Sequence, residues 1–422
     1  MPAPRYLLPQ HSTVASSILE CVGDDYRRYA DKPLPARWEE YLADRYGLDL
    51  STQYAGVPIS NPWGKASGQL SMTAQQVEDD TRAGLGFIVL KTVIAQDEQG
   101  AQSMRDWAVK ESRMVAEHII GSSGETGWTI SWKGRGWWQT FDDYLTLVRD
   151  ARRIAGTSGP LIVPSCKFHL PTPEESSWKT DEYVYTTRRL LEAWCRPGSL
   201  QPMPLEKDFS PTLAGSDRAA VRDKIIEWLQ RVPELIESSA GTGTTRGGAP
   251  VRLGLKIFNA LFDDDFQLDM LRSIHQPGPS RPDFYVYGNR LFDPEREFDG
   301  KKGIAYGGPD LSERNLRIIS RFREDVADST ELLPWSATGN ICSGKMALEY
   351  ALRGASSFQL HTFFQLPAKV YSKTDGNKTQ KALHELYLHP ETGLVVWMHH
   401  LAGELGLPTN PLRFHDVIGI GG

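Results

Sequence analysis

A cysteine and two basic residues follow one predicted strand closely enough to take part in proton chemistry. The short apolar segment from Pro160 to Pro164 ends in Ser165 and Cys166, and Lys167 and His169 come next. A thiol at the end of a buried strand is placed where a nucleophile or a general acid or base would lie, and basic neighbours could lower its pKa. A buried structural cysteine is the alternative, and the pattern alone favours it.

Two lysines stand directly at the ends of other predicted strands. Lys91 follows the apolar segment 86–90, and Lys256 follows 251–255. In parallel α/β folds the carboxyl ends of the strands meet on one face, and ligands bind there. A lysine at that rim is either part of a site or an ordinary solvated side chain, and the pattern leaves both interpretations open.

A strand, a helix and a second strand are predicted near the end of the chain. The first strand covers 334–338, the turn Gly339-Asn340 follows, a helix begins after Ser343, and the second strand covers 357–362. A turn of this kind has backbone N–H groups and a helix N-terminus behind it, which is a favourable place for a phosphate. The pattern therefore predicts a phosphate-bearing ligand near Gly339, Asn340 and the end of the last strand.

Strands and helices alternate through most of the chain. Strands are predicted near residues 57, 86, 128, 160, 252, 283, 334 and 357, with polar or glycine residues at their carboxyl ends. Eight such strands alternating with helices are the pattern of a (β/α)8 TIM barrel. We predict an N-terminal helical extension (1–55), a barrel (56–422) and, within it, an inserted helical subdomain or lid (about 171–250) hinged at the glycines of 241–248.

The composition argues against several classes of protein. The 422 residues carry a formal net charge of −6, without the excess of Lys and Arg typical of a nucleic-acid-binding surface. The four cysteines form no C-x-x-C pair, so neither a zinc site nor an iron–sulfur site is visible. No apolar run approaches the roughly 20 residues of a membrane helix, and the N-terminus lacks the apolar core of a signal peptide. A soluble cytoplasmic protein is expected, and any redox chemistry would need an organic cofactor.

Six short motifs occur in order along the chain. They are N-P-x-x-x-A-S-G (61–68), G-x-G-F-x-x-x-K-T (84–92), Ser-Cys (165–166), G-x-K (254–256), Y-G-G (306–308) and A-T-G-x-I-x-S-G with the following A-L-E-Y and G-A-S-S-x-Q-L-x-T (337–362). Each motif is weak alone. Together they resemble the FMN-dependent dihydroorotate dehydrogenase family and the related catalytic domain of dihydropyrimidine dehydrogenase, over most of residues 56–418 outside the insertion.

The resemblance implies specific roles for residues of this chain. Carried over from the family, Cys166 would exchange a proton with the substrate. Lys167 and His169, which differ from the family pattern, are predicted to bind an anionic or differently shaped substrate. The residues implied to bind FMN are Ala66 and Ser67 at the flavin ring, Lys91 and Lys256 at its polar edge, Gly307 and Gly308 along the ribityl chain, Gly339, Asn340, His361 and Thr362 around the phosphate, and also Asn289.

This sequence also departs from the family pattern. The family's Asn-Leu-Ser-Cys-Pro-Asn loop is replaced by the residues from Val163 to Phe168, which removes the amides that read a pyrimidine. Asn340 and His361 stand where the family has glycine. We expect an FMN-dependent oxidoreductase that acts on a C–C bond next to a carbonyl or amide of a small molecule other than orotate. A barrel that binds or regulates without redox catalysis is the alternative, and a homodimer is left open.

Overall fold

Helices and strands alternate along most of the chain. The computed structural model describes residues 5–195, 201–209, 221–240, 251–259, 262–326 and 332–421. The helices in these ranges are α1 (Ser16–Ala30), α2 (Trp38–Tyr46), α3 (Ala74–Ala83), α4 (Phe141–Ala155), α5 (Thr180–Trp194), α6 (Arg222–Ala240), α7 (Asp264–His275), α8 (Pro309–Asp325), α9 (Gly344–Leu352), α10 (Lys378–Leu388) and α11 (Leu394–Leu405). The strands are β1 (Leu48–Asp49), β2 (Thr52–Tyr54), β3 (Val57–Ile59), β4 (Trp63–Lys65), β5 (Phe87–Val89), β6 (Val93–Ile94), β7 (Val109–Ile120), β8 (Thr126–Arg135), β9 (Leu161–Val163), β10 (Ser165–Lys167), β11 (Met203–Asp208), β12 (Val251–Phe258), β13 (Phe284–Asn289), β14 (Leu291–Phe298), β15 (Lys301–Tyr306), β16 (Trp335–Thr338), β17 (Ala355–Leu360) and β18 (Leu412–Arg413).

Ten of these strands form one parallel, curled sheet. Their order is β6-β10-β11-β12-β13-β16-β17-β4-β5-β9, and every neighbouring pair in it is parallel. Because all the ladders are parallel, the carboxyl ends of the strands gather on one face of the sheet. The molecule is therefore a mixed α/β protein with a barrel-like fold, and this confirms the fold class that the alternating pattern predicted.

Helices pack around the outside of the sheet. Neighbours along the chain from α3 to α8 contact each other in sequence, and α10 contacts both α3 and α9. Helix α3 has an N-cap at Thr73, because the Thr73 hydroxyl accepts a hydrogen bond from Gln76 N and the Gln76 side chain accepts one from the Thr73 backbone N–H. Helix α4 is amphipathic and buries its apolar face.

Aromatic rings fill the amino-terminal end of the curled sheet. Tyr54, from the antiparallel pair β2 and β3, stacks on Phe87 at 4.3 Å and meets Phe284 edge-on at 5.1 Å. Glycines make room for these rings, since a Cβ atom at Gly64 or Gly254 would lie 2.2 Å or 2.1 Å from a ring carbon. Among the described residues, these rings therefore fill space inside the sheet at its amino-terminal end.

A buried ion pair joins the sheet to two outer helices. Lys65 Nζ lies 2.8 Å from Asp80 Oδ1, and both side chains are only 3% exposed. Lys65 Nζ also donates to Thr379 Oγ1 at 2.8 Å, and the Thr379 hydroxyl donates to Asp80 at 2.7 Å. The Lys65 ammonium lies 4.4 Å from the centre of the Phe364 ring. This cluster ties β4, α3 and α10 together.

Three of the sequence predictions about sheet strands are wrong. The strand near residue 57 pairs antiparallel with β2, and the sheet strand of that region is β4. The strand near residue 128 belongs to β8, which pairs antiparallel with β7 outside the sheet. The sheet strand that replaces it is β11, which lies within the range predicted to be a helical insertion. The domain boundaries themselves stay predictions, and the hinge predicted at 241–248 lies outside the described residues.

Two antiparallel hairpins, β7–β8 and β14–β15, are linked by ion pairs. Asp299 lies 2.9 Å from Lys133 and 3.5 Å from Arg113, and Arg296 lies 3.2 Å from Glu117. The connection between β6 and β8 thus contains β7 and is not a simple loop. Within the described ranges, no helix is both long and apolar enough to cross a membrane.

Candidate functional site

A cavity of about 550 Å³ lies at the carboxyl ends of the parallel strands, within the size range of small-molecule sites. The two hairpins form its outer walls. All of the residues that the sequence implied for cofactor binding line this one cavity: Ala66, Ser67, Lys91, Lys256, Asn289, Gly307, Gly308, Gly339, Asn340, His361 and Thr362. The structure therefore brings this set together, although its members lie almost 300 residues apart in sequence.

Lys256 is held at the floor of the cavity by a buried polar cluster. Its Nζ donates to Gln359 Oε1 at 3.1 Å and lies 3.9 Å from the Glu206 carboxylate. Glu206 also accepts hydrogen bonds from Tyr54 and from the Gln359 amide. Burial raises the pKa of Glu206, against the nearby Lys256 charge. These contacts fix the position of the Lys256 ammonium group at the cavity.

Lys91 is the second buried lysine of the cavity. Its side chain has no hydrogen-bond partner among the described residues. Burial lowers its pKa to about 8, while the carboxylates of Glu111 and Asp208 oppose that shift. An unpaired buried ammonium group is costly unless a ligand supplies the missing charge or acceptor. Lys91 therefore favours a ligand with an electron-rich or anionic group.

A turn between two helix N-termini forms one end of the cavity. Helix α8 begins after Gly308 and helix α9 begins after Ser343. Gly308, Gly339 and Asn340 have φ angles of 100°, 112° and 53°, in the region that glycine and asparagine tolerate best. Because helix N-termini carry free N–H groups and partial positive charge, this end is suited to a phosphate.

Asn315 of α8 holds that turn in place. Its side-chain amide donates to Gly288 O at 3.1 Å and to Thr338 O at 3.0 Å. A Cβ atom at Gly339 would lie 2.7 Å from Asn315 Nδ2. Asn340 in turn donates from its amide to Ser312 Oγ at 2.9 Å. Hydrogen bonds within the protein therefore hold the turn in its conformation.

Arg290 adds a third cation to the cavity wall. Its guanidinium group stacks over Trp132 at 4.2 Å and donates to the carbonyl oxygens of Ile130 and Ala305. Burial lowers its pKa to about 9, and the neighbouring Arg296 acts in the same direction. With Lys91 and Lys256, this residue makes the inner cavity electropositive.

The three residues predicted to act on the substrate lie elsewhere. Cys166, Lys167 and His169 do not line the cavity. Cys166 is fully buried, and burial raises the pKa of its thiol far above the usual value. Lys167 lies over the Trp107 ring at 4.5 Å, and His169 Nε2 lies 3.2 Å from Glu175. This geometry does not support the predicted proton transfer by Cys166.

Several lining residues were missed by the sequence prediction. They are Gln69, Trp107, Trp132, Asp208, Arg290 and Gln359. Asp208 was missed with its strand, and Trp132 because its hairpin was assigned to the sheet. Arg290 directly follows the predicted residue Asn289, so a basic residue after a strand end was a usable signal for it. Within the described ranges, no group of three or more His, Cys, Asp or Glu residues is arranged to hold a metal ion.

Comparison with known proteins supports the fold. No protein-family model matches this chain, and no curated protein matches it. Among solved structures, the chain is similar to a DHODH (dihydroorotate dehydrogenase) from Eimeria tenella in complex with ferulenol, with a TM-score of 0.56 and 14% sequence identity. The match covers 98% of this chain and 97% of that one. At this identity the likeness extends to the fold, and the chain has a DHODH-like, barrel-like α/β architecture.

Proposed function

We propose that this protein is an FMN-dependent oxidoreductase that acts on a C–C bond next to a carbonyl or amide of a small molecule. The observation that carries the proposal is the single cavity lined by every residue that the family resemblance implied for FMN. The fold-level likeness to a DHODH adds independent support.

We further propose that the curled sheet closes into a (β/α)8 barrel. β5 pairs with β9, and β6 pairs with β10. The consecutive segments β5 and β6 therefore count as one interrupted strand, and β9 and β10 count as another. Ten strands then become eight. β17 pairs with β4, and β10 pairs with β11, so every one of the eight has a neighbour on both sides. A cavity at the carboxyl ends of the strands is where barrel enzymes have their active sites.

The cavity residues fit FMN by charge and by shape. The turn of Gly339 and Asn340, with the N-termini of α8 and α9, would hold the phosphate, and Gly307 leaves room for the ribityl chain. Lys91 and Lys256 would lie at the polar edge of the ring and stabilise negative charge on it. FMN, when bound, supplies a redox group that exchanges a hydride with a substrate. The protein's own contribution is to position the ligand, exclude water and fix the lysine charges.

Purified protein gives the direct test of this proposal. We expect it to carry FMN or to take it up when added, with the absorbance bands of bound flavin and quenched flavin fluorescence. Cyclic amides are then offered as substrates, and bleaching of the flavin bands identifies one that is oxidised. A colourless protein that takes up no added FMN would refute the enzyme proposal. Bleaching by dihydroorotate or dihydrouracil would show that the protein recognises a pyrimidine without the asparagines of the family's loop.

The pH dependence of FMN binding is expected to report on Lys91. Its pKa of about 8 means that the free protein loses this charge between pH 7 and 9. An anionic or electron-rich ligand binds the protonated form better, so the FMN dissociation constant should rise through this range by up to about tenfold per pH unit. Lys91→Met should bind more weakly at pH 7 and show a flatter profile. Lys301→Met, at the exposed rim of the cavity, is the control and should keep the wild-type slope.

A barrel that binds flavin without redox catalysis is the second candidate, and the burial of Cys166 favours it. If that residue has no chemical role, Cys166→Ala should change neither FMN affinity nor any turnover that is found. If Cys166→Ala instead abolishes turnover while flavin stays bound, the thiol must reach the substrate in a conformation other than this one. Absence of bleaching by every cyclic amide tested, with FMN bound, would favour the binding role.

A further inference from the structure

Two uncharged side chains that line the cavity have buried polar atoms without partners among the described residues, and so does Arg290 at its Nε atom. The amide nitrogen and oxygen of Gln69 make no hydrogen bond with any described residue, and neither do the two ring nitrogens of His361. The Gln69 residue is 8% exposed. Because both of its amide atoms are unpaired, exchanging the oxygen and nitrogen assignments would not change this finding. Buried polar atoms are normally paired, so four unpaired atoms in one cavity point to a ligand that pairs them.

The chain fixes these two residues on the same wall. A Cβ atom at Gly68 would lie 2.4 Å from His361 Cε1 and 2.5 Å from its Nδ1, so the ring packs directly on the Gly68 backbone, next to Gln69. The Gln69 carbonyl accepts a hydrogen bond from Gln76 Nε2 at 3.0 Å, which ties it to the start of α3. Trp132 lies edge-on to the imidazole at 5.7 Å. Glycine at residue 68 is therefore required by the histidine, and the pair forms one built feature.

Burial and the surrounding positive charges keep the His361 imidazole in its neutral form. Burial is the main cause that lowers its pKa well below the usual value, and the cations of Lys91, Arg290, Lys65 and Lys256 act in the same direction. A neutral imidazole has one N–H donor and one acceptor nitrogen, and a carboxamide also offers both. A bare anion would pair only with the donors, and an apolar ligand with neither. A ring that presents C=O and N–H groups side by side pairs with both kinds.

We propose that Gln69 and His361 form a subsite that reads the edge of a planar ring amide or imide. The inference rests on the proposed function in one respect, because both possible sources of that edge assume a bound flavin. One source is the pyrimidine-like ring of the flavin itself, which would place His361 at the ring and not at the phosphate, where the family resemblance placed it. The other is a second small molecule held beside the flavin. In both cases the N–H group of the edge donates to Gln69 or His361, and a carbonyl of the edge accepts from the other.

Methylation of the ligand nitrogen tests this pairing without altering the protein. We would titrate wild-type protein with FMN and with 3-methyl-FMN, in which the ring N–H is replaced, and follow flavin fluorescence. FMN-loaded protein would then be titrated with uracil and with 1,3-dimethyluracil by calorimetry. If the flavin supplies the edge, FMN should bind about tenfold or more tightly than its methyl derivative, as expected for the loss of one buried hydrogen bond. If a second molecule supplies it, the two flavins should bind equally and uracil should bind more tightly than its dimethyl derivative.

Variants of Gln69 and His361 test whether these two side chains cause the preference for the unmethylated ligand. Gln69→Leu keeps the approximate size and removes both polar atoms, and it should erase the preference for the unmethylated ligand. Gln69→Glu removes the donor but keeps acceptors, so it should retain part of the preference and serves if the leucine variant is unstable. His361→Asn should likewise reduce the preference. Gln75→Leu, on the exposed side of α3, is the matched control and should behave as wild type.

The outcomes separate this inference from the proposed function. Wild-type protein that discriminates in neither titration would overturn the inference even if FMN binds. Discrimination that survives in Gln69→Leu and in His361→Asn would also overturn it. If wild-type protein binds no FMN, the proposed function fails, and the uracil pair is titrated against the flavin-free protein. A preference for uracil there, lost in Gln69→Leu, would support the subsite independently of flavin, and no preference would refute it.

Discussion

Replacing Gly307 by leucine is expected to block ligand uptake and leave the protein folded. Gly307 lines the cavity, and a Cβ atom built there meets nothing closer than Leu311 Cδ2 at 3.9 Å and Thr129 Oγ1 at 4.0 Å. Its φ angle is not in the left-handed region, unlike that of Gly308, so a side chain adds no backbone strain. A leucine side chain would then occupy space in which we place the ribityl chain of FMN.

The expected effect is a loss of FMN affinity of about 5- to 150-fold, from the ~1–3 kcal/mol that overpacking a filled site usually costs. Fluorescence titration measures the affinity, and thermal unfolding checks the fold. Gly403→Leu is the matched control, because a Cβ atom there meets nothing within 4 Å and the residue lies on the exposed face of α11. Gly307→Ala should fall between the two. Full FMN affinity in Gly307→Leu would mean that the ligand does not pass this glycine.

Local signals in the sequence were enough to find several residues of the cavity. Lysines and glycines at strand ends, such as Lys91, Lys256 and Gly339, are recognisable because strand ends share one face in any parallel sheet. Helix caps such as Thr73 depend only on neighbouring residues. These features depend on local sequence and not on distant contacts, so the sequence alone is enough to predict them.

The strand β11 could not be found in this way. Its sequence, Met203-Pro-Leu-Glu-Lys-Asp208, contains a proline and three charged residues, yet all six residues are buried. Burial of Glu206 is tolerable because Tyr54 and Gln359 donate to it and Lys256 is nearby. Those partners lie far away in the sequence. A charged strand inside the sheet is therefore visible only once the tertiary partners are known.

The interpretation of Cys166 illustrates how strand register limits prediction. Successive side chains of a strand point to opposite faces, so a shift of one residue exchanges a site residue for a core residue. The Ser165 hydroxyl lies 3.0 Å from the hydroxyl of Thr92, which lines the cavity. Cys166, the next residue, points to the other face and is buried. Neither side chain lines the cavity, and Ser165 is linked to it only through Thr92. The sequence predicts that this segment lies beside the site, but the register that decides which side chain faces the site depends on tertiary packing.

Asp80→Ala is expected to destabilise the protein by about 3–5 kcal/mol, because it leaves a buried charge without its partner. Asp80 Oδ1 lies 2.8 Å from Lys65 Nζ. The Thr379 hydroxyl and the Phe364 ring carry no charge, and the Asp79 carboxylate raises the pKa of Lys65 less than Asp80 does. Urea unfolding measures the change. The double variant Lys65→Met/Asp80→Leu removes both charges and should recover most of the loss. Glu78→Ala breaks the exposed pair with Arg82 on the same helix and should change stability by less than about 1 kcal/mol.

The pH dependence of the Asp80→Ala defect gives a sharper test. Burial is the main cause that lowers the pKa of Lys65, and Asp80 opposes that shift, so removing Asp80 should lower the pKa further below the ~10.4 of an unfolded lysine. Between the two pKa values the unfolded chain binds more protons than the folded one, and stability then rises with pH. The defect relative to the double variant should therefore be largest near pH 7 and shrink toward pH 10. A defect that stays constant over this range would mean that the ammonium group of Lys65 escapes to solvent once Asp80 is removed, and that the cluster joining β4, α3 and α10 does not confine it.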